Sequence, residues 1–393
     1  MMNSKTGGQA GSRNGPGALD RAANALSGGF KFRPLIYGYA NARVHALASK
    51  FLTPAQMQEL IRAGNTQEIV EMLERGVYKE DLVALSLKFK GEDLVELATS
   101  RHFSKFAKAL LKLTPKDGQG IVQAMLSRWD AHNVKTVLLA RAQGKRFEDI
   151  EPYLVIAGTL DENDLRGLLE AKDPDAFLLK LGVGGFGGAL IASEPGQKAY
   201  LEAKKRLREG GGEKALSTLH DALDAYPFGL AGTLAVGQDR DSRQVKKLLD
   251  RLADEKNLST VMRLSAAGEK PSAIRKYLVD GGTIGEREWN EIAKRKDSQD
   301  MLGKLKRKLP LSGALEEYKQ TGRLSMLEVA LAQNTAREGL KAFTRSGLGV
   351  GVIVGALLLK EQEMANIRKL MRGRALGLGE KEIMKILVLA KKE

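Results

Sequence analysis

The chain has 393 residues, with 63 Lys+Arg against 48 Asp+Glu for a formal net charge of +15, and it contains no cysteine. That excludes a disulfide framework, a thiolate metal site and a cysteine nucleophile. At 43% hydrophobic residues it also excludes an intrinsically disordered chain.

In chain order, residues 1–32 are rich in Gly, Asn, Ser and Ala, lack the apolar middle of a signal peptide, and read as a flexible extension. Thr53-Pro-Ala-Gln56 is a capping box with Pro at the first helical position. Asn65 follows, with Ile69, Val70 and Leu73 placed on one helical face. The stretches 79–132, 183–256 and 306–365 read as long amphipathic helix. Asn133 opens a segment with Val134, Val137 and Leu138 on one stripe, closed by Gly144 in the left-handed conformation. A second short helix carries Ile150, Tyr153 and Leu154, followed by Val155. Thr159-Leu-Asp-Glu162 reads as another capping box, and Asp173 precedes Phe177, Leu178 and Leu181.

The same order recurs. Asn257 to Gly268 carries Leu258, Val261 and Met262; Ile274, Tyr277, Leu278 and Val279 follow. Thr283-Ile-Gly-Glu286 matches the box, and Asp297 precedes Met301, Leu302 and Leu305. Asn366 to Gly377 carries Ile367, Leu370 and Met371, then Ile383, Ile386, Leu387 and Val388, and there the chain stops. The missing second half is the one that begins at Thr53. The order is therefore half, whole, whole, half, and docking the two halves predicts three units in a closed ring, whereas an open solenoid needs distinct capped ends.

The expected division is an extension at 1–32, a terminal unit of 33–100 with 345–393, a second unit at 101–220 and a third at 221–344. The fold class is all-α, with three pseudo-symmetric repeats. The glycines at 182–188 and Gly210 to Gly212 read as flexible breaks. Ser346 to Leu359 is apolar but short of the roughly 20 residues a bilayer span needs, and it reads as a buried helix. Its Gly351-x-x-x-Gly355 pair fits close helix packing.

Catalytic chemistry is hard to find. No phosphate-loop motif and no nucleophile elbow occurs, and the glycines near 182 lack the strand that a dinucleotide fingerprint requires. His45, His102, His132 and His220 lie far apart, which rules out a helical two-His metal site. No cofactor, metal or nucleotide is expected. A helix, a glycine turn and a second helix also describe a DNA reader. Against it, Glu148, Asp149 and Glu151 on the second helix would repel phosphates. A basic helical-repeat protein that binds nucleic acid, or a scaffold, stays open as the alternative.

Tyr37-Gly-Tyr-Ala-Asn-Ala-Arg43, Asn133 to Gly144, Ile150-Glu-Pro-Tyr-Leu154, Glu363 to Arg368 and Arg372 to Gly377 resemble the C subunit of the archaeal and bacterial A/V-type ATP synthase, related to the d subunit of the vacuolar ATPase. The resemblance implies a helical funnel of three similar domains with both termini in one of them. It implies a rotor subunit without an active site, seated on the cytoplasmic face of the membrane proteolipid ring and receiving the D and F subunits of the central stalk. It also implies no nucleotide or nucleic-acid partner. The basic residues clustered at the repeated helix end, Arg141, Lys145, Arg146, Arg368, Arg372 and Arg374, are the candidate contacts for acidic partners or anionic headgroups.

Overall fold

A computed structural model describes residues 34–183, 185–235, 240–294, 305, 309 and 311–389. The 1–32 extension and the Asp297 motif through Leu302 lie outside the described residues. Among the described residues the chain is all-helical, as its Leu-, Ala-, Lys- and Glu-rich composition implies, and no strand occurs.

The frame is built from α1 (Pro34–Ala48), α2 (Gly91–Leu113), α3 (Lys116–Ala142), α4 (Leu219–Leu234), α5 (Arg240–Ala266), α6 (Leu324–Arg345) and α7 (Val350–Ala375). The first halves of α3, α5 and α7 meet in one shared core. Ile121, Met125, Val245, Leu248, Ile353 and Leu357 pack there with Tyr37 and Val44 of α1 and Phe103 and Leu110 of α2. Their second halves diverge, and each enters a separate core. Val134, Val137 and Leu138 pack with Leu165, Leu168, Phe177 and Leu178. Leu258, Val261 and Met262 pack with Trp289 and Ile292. Ile367, Leu370 and Met371 pack with Leu60, Ile61, Ile69 and Val70, which come from the opposite end of the chain. The apolar stripes after Asn133, Asn257 and Asn366 are thus the faces that periodicity marked as core.

The local signals explain the element ends. Thr53 and Gln56 form a reciprocal capping box, and Asn65 and Asp173 accept the backbone N–H groups of Glu68 and Ala176 as N-caps. Gly144, Gly268 and Gly377 stand at φ of 64°, 79° and 75°. Each helix end closes with the wide backbone bond of a Schellman turn: Lys145 N–H to Ala140 C=O, Glu269 to Leu264 and Leu378 to Gly373, all 2.9 Å. The apolar run at 346–359 becomes the start of α7, with Val350 to Leu358 buried. A Cβ on Gly355 would lie 2.5 Å from the Phe343 backbone nitrogen and 2.7 Å from the Gly339 oxygen, so this glycine lets α6 and α7 touch along their backbones. No single described helix is long and apolar enough to cross a membrane.

Three expectations need correction. The boxes at Thr159 and Thr283 do not cap helices. The helices begin later, at Glu162 and Glu286, and Asp161 caps the first with Asp164 as its reciprocal partner. Gly182, Gly185, Gly187 and Gly188 lie in helices and not in an open loop. A helix resumes at Gly185 and runs to Ala192, and Gly187 is buried where a Cβ would fall 1.8 Å from the Leu181 carbonyl oxygen. The short second helices bury Ile150, Ile274 and Ile383 but leave Tyr153 and Tyr277 more than 40% exposed, because each tightens into a single 3-10 turn there.

The sequence of residues 1–30 carries no periodic apolar pattern, so removing them should leave the melting temperature of the protein unchanged within error. Differential scanning calorimetry checks this, and a large drop would show that the removed residues belong to the fold.

Candidate functional site

The three asparagines that open the repeats are buried mid-helix, where an amide would ordinarily be costly. Each is fully used. Asn133 donates from Nδ2 to the Val155 carbonyl (2.8 Å) and accepts the Val155 N–H (2.9 Å). Asn257 makes the same two bonds to Val279, at 2.9 and 2.8 Å. Asn366 makes them to Val388, at 2.7 and 2.9 Å. Each side chain mimics a peptide group and pins the strap that follows its helix, with a spacing of 22 residues in all three cases.

One turn earlier stands a carboxylate. Asp130 accepts the N–H groups of Thr159 (2.8 Å) and Leu160 (3.0 Å). Asp254 accepts those of Thr283 (2.9 Å) and Ile284 (3.3 Å). The third is Glu363, and its backbone partner is Leu52 N–H at 2.6 Å, 311 residues away. Leu52 immediately precedes the capping Thr53, as Leu160 precedes Asp161. The contact made within the chain in two places is thus made across the chain ends in the third, in the same register. Burial lifts Asp130 to about 6 against the opposing pull of its backbone donors, and lifts Asp254 in the same way.

Glu363 has further partners. Lys360, itself buried, donates to it at 2.5 Å, and Tyr78 donates from its hydroxyl at 2.6 Å. Burial pushes Lys360 below its ordinary value while Glu363 pulls the other way. Burial and the adjacent Glu363 drive the Tyr78 phenol well up.

The six basic candidates separate into two groups. Arg141 is spent internally: its guanidinium donates to the carbonyls of Leu169 and Ala171, both 2.8 Å, and pairs with Glu213. Arg374 occupies the same place after Asn366 and donates to the Ile61 carbonyl at 2.5 Å, again across the chain ends. Arg368 is half-buried, ion-paired to Glu96 at 2.8 Å and bonded to the Glu96 carbonyl and Ser100. These three staple neighbouring helices. Lys145, Arg146 and Arg372 are exposed, with Arg146 beside Asp149 and Arg372 sharing Glu96. Sequence reasoning placed all six at one helix end but had no means of separating the staples from the exposed cations.

Sequence reasoning also passed over the carboxylates at Asp130, Asp254 and Glu363, although an acid three residues before each repeat asparagine was visible. Between the diverging helices lies a band of paired charge. Arg128 meets Glu361 at 2.8 Å, and Lys135 and Lys256 both hold Asp224. Burial raises Asp224, but the two lysines outweigh it and keep the carboxyl below its usual range.

Glu255, which accepts the Thr335 hydroxyl at 2.8 Å, forms no ion pair among the described residues, and burial lifts it from 4.5 to about 7 against the weaker pull of Arg128 and Lys369. A carboxyl with a folded value above its unfolded one stabilises fully below pH 4.5 and loses that contribution as pH rises through 7. Glu255→Gln should therefore match the native protein near pH 4.5 and exceed it at pH 8 by about 3 kcal/mol. Urea melts at the two pH values check this, and an equal effect at both would refute it.

The family model of the ATP synthase (C/AC39) subunit matches residues 40–386. The chain belongs to this family. It is 25% identical to the C subunit of the A-type ATP synthase of Thermoplasma acidophilum over 364 residues, covering 90% of this chain and 98% of that one. It is 29% identical to the same subunit from Haloferax volcanii, covering 89% and 97%. For the one from Methanocaldococcus jannaschii the figures are 22% identity, 90% and 86%. The match starts within α1 and ends at the last described helix, Glu380–Ile386, so all three asparagine clamps and the contacts across the chain ends lie inside it, apart from the Val388 side of the last clamp.

Proposed function

We propose that the chain is a non-catalytic rotor subunit of a rotary A/V-type ATP synthase. In this role it couples the D and F subunits of the central stalk to the membrane proteolipid ring from the cytoplasmic face and passes torque between them. It comprises three units, 33–100 with 345–393, 101–220 and 221–344, closed into a funnel in which α2 and α4 bridge the borders. The observation that carries this reading is the repeated clamp, made twice within the chain and once between its ends. A coupler that must turn with its shaft needs a body that does not shear, and close-packed helices with the ends fastened in register supply low compressibility. Family membership supports the assignment to an ATP synthase, and the relatives are named as the C subunit of the A-type enzyme.

Lys145, Arg146 and Arg372 are the contact residues for acidic stalk surfaces or lipid headgroups. A pull-down of the tagged chain from detergent-solubilised membranes tests the assignment. Recovery of the A and B subunits with proteolipid is expected, and their absence under conditions that keep the complex intact would refute it.

A further inference from the structure

A cavity of about 480 Å³ opens on the face of the unit where the two chain ends meet. Its volume is within the range of small-ligand sites. Leu47 at the end of α1, Phe51 just beyond it, Val77, and Phe106 and Ala109 of α2 give it apolar walls. Its charged groups are arranged in depth. Lys360 lines it from within, with a side chain only 2% exposed, while Lys50, Lys79 and Lys105 stand exposed around it. Asp81 lines it too but is already held by Lys105 at 2.7 Å and His102 at 3.3 Å. Glu80 is the remaining acid, and Glu363 behind the wall balances Lys360. Lys50, Lys79, Lys105 and Lys360 against Glu80, Asp81 and Glu363 leave an excess of one positive charge, and neither Lys50 nor Lys79 has a side-chain partner among the described residues.

An apolar chamber with a cationic border and a buried ammonium matches a molecule that is anionic at one end and apolar at the other. A free inorganic anion would leave the Leu47, Phe51 and Phe106 walls uncovered, and a neutral lipid would leave the two lysines unused. We propose that this cavity binds an anionic phospholipid, the phosphate lying between Lys50 and Lys79 and the first part of an acyl chain against Phe51 and Phe106. Because the cavity takes its walls from residues 47–109 and its inner end from Lys360, such a lipid spans the junction of the chain ends and fastens it.

The test is calorimetric titration of the full-length chain with dihexanoyl phosphatidic acid below its micelle concentration, run beside dihexanoyl phosphatidylcholine and inorganic phosphate. One saturable site is expected for the phosphatidic acid, with at least tenfold weaker binding of the other two. Lys50→Ala with Lys79→Ala should weaken it at least tenfold and leave the melt of the lipid-free protein unchanged, since both side chains are exposed and unpaired. Ala109→Trp should block it by filling the chamber. The proposal falls if no saturable binding is seen, if the choline lipid binds equally well, if inorganic phosphate binds as tightly as the lipid, or if the double lysine variant binds as the native chain does. None of these readouts requires the ATP synthase complex, so failure here leaves the rotor assignment standing, and failure of the pull-down leaves this one standing.

Discussion

A chain ended at Leu359 should lose the cooperative melt of the full-length protein. The cut removes Ile367, Leu370, Met371, Ile383 and Leu387, all buried against helices from the other end of the chain. At roughly 1.5–3 kcal/mol per buried side chain the loss is on the order of 10 kcal/mol, the size of a whole domain's stability. What remains opposite cannot stand alone: Pro54–Arg62 and Thr66–Glu74 are nine residues each, and isolated helices of that length are marginal in water. The damage spreads because α7 also supplies Ile353 and Leu357 to the shared core, and their helix would be cut just beyond them. Circular dichroism melts of the two chains decide it. A truncated chain that melts cooperatively near the native temperature would show that the ends do not support one another.

Much of this arrangement could be read from the amino acids. The stripe after each asparagine, the glycine at the helix end and the Thr53 box use short-range rules, namely helical periodicity, the freedom of a residue without Cβ, and reciprocal capping. Those rules do not depend on what the rest of the chain does, and the structure follows them at all three glycines. The half-repeats at the two termini also pointed to the junction, because each lacks the partner that the internal copies have. Other features depend on distance in space. The threonines at 159 and 283 look like caps, yet the Thr159 and Thr283 N–H groups and hydroxyls go instead to Asp130 and Asp254 on another helix, and capping moves two residues on. Gly187 reads as a loop residue until Leu181 is seen to pass against it. Arg141 and Arg372 look alike in sequence, but Arg141 faces the carbonyl end of a neighbouring helix and Arg372 faces solvent.

The asparagine clamps and the carboxylates have different consequences if lost. An asparagine replaced by leucine strands one N–H and one C=O in the interior, each costing about 1–3 kcal/mol, in whichever unit is hit. The two aspartates hold backbone amides and a threonine hydroxyl, and Asp254 adds only a long ion pair to Arg251 at 3.9 Å. Glu363 does more, since it also neutralises a lysine whose side chain is only 2% exposed. The third copy of the motif is therefore a reinforced version, placed where no peptide bond links the two segments it joins.

Glu363→Leu should accordingly be among the most damaging single substitutions in the protein. It leaves Lys360 buried without a counter-charge and strips the Leu52 N–H and the Tyr78 hydroxyl of their acceptor. Breaking a buried pair from one side costs about 3–5 kcal/mol. Lys360→Met is expected to cost less, because Glu363 keeps two donors in Leu52 and Tyr78. The double variant Lys360→Met with Glu363→Gln retains those two bonds and buries no charge, so it should recover most of the stability lost in Glu363→Leu. Urea denaturation of the native chain, Lys360→Met, Glu363→Gln and their double variant provides the cycle, with a coupling of at least about 1 kcal/mol expected for residues in direct contact. Asp254→Asn serves as the comparison, since its carboxylate bonds the same backbone register within one continuous stretch of chain. If Glu363→Leu costs no more than Asp254→Asn, the lysine and glutamate do not hold the ends, and the junction rests on the apolar packing of Ile367, Leu370 and Met371 alone.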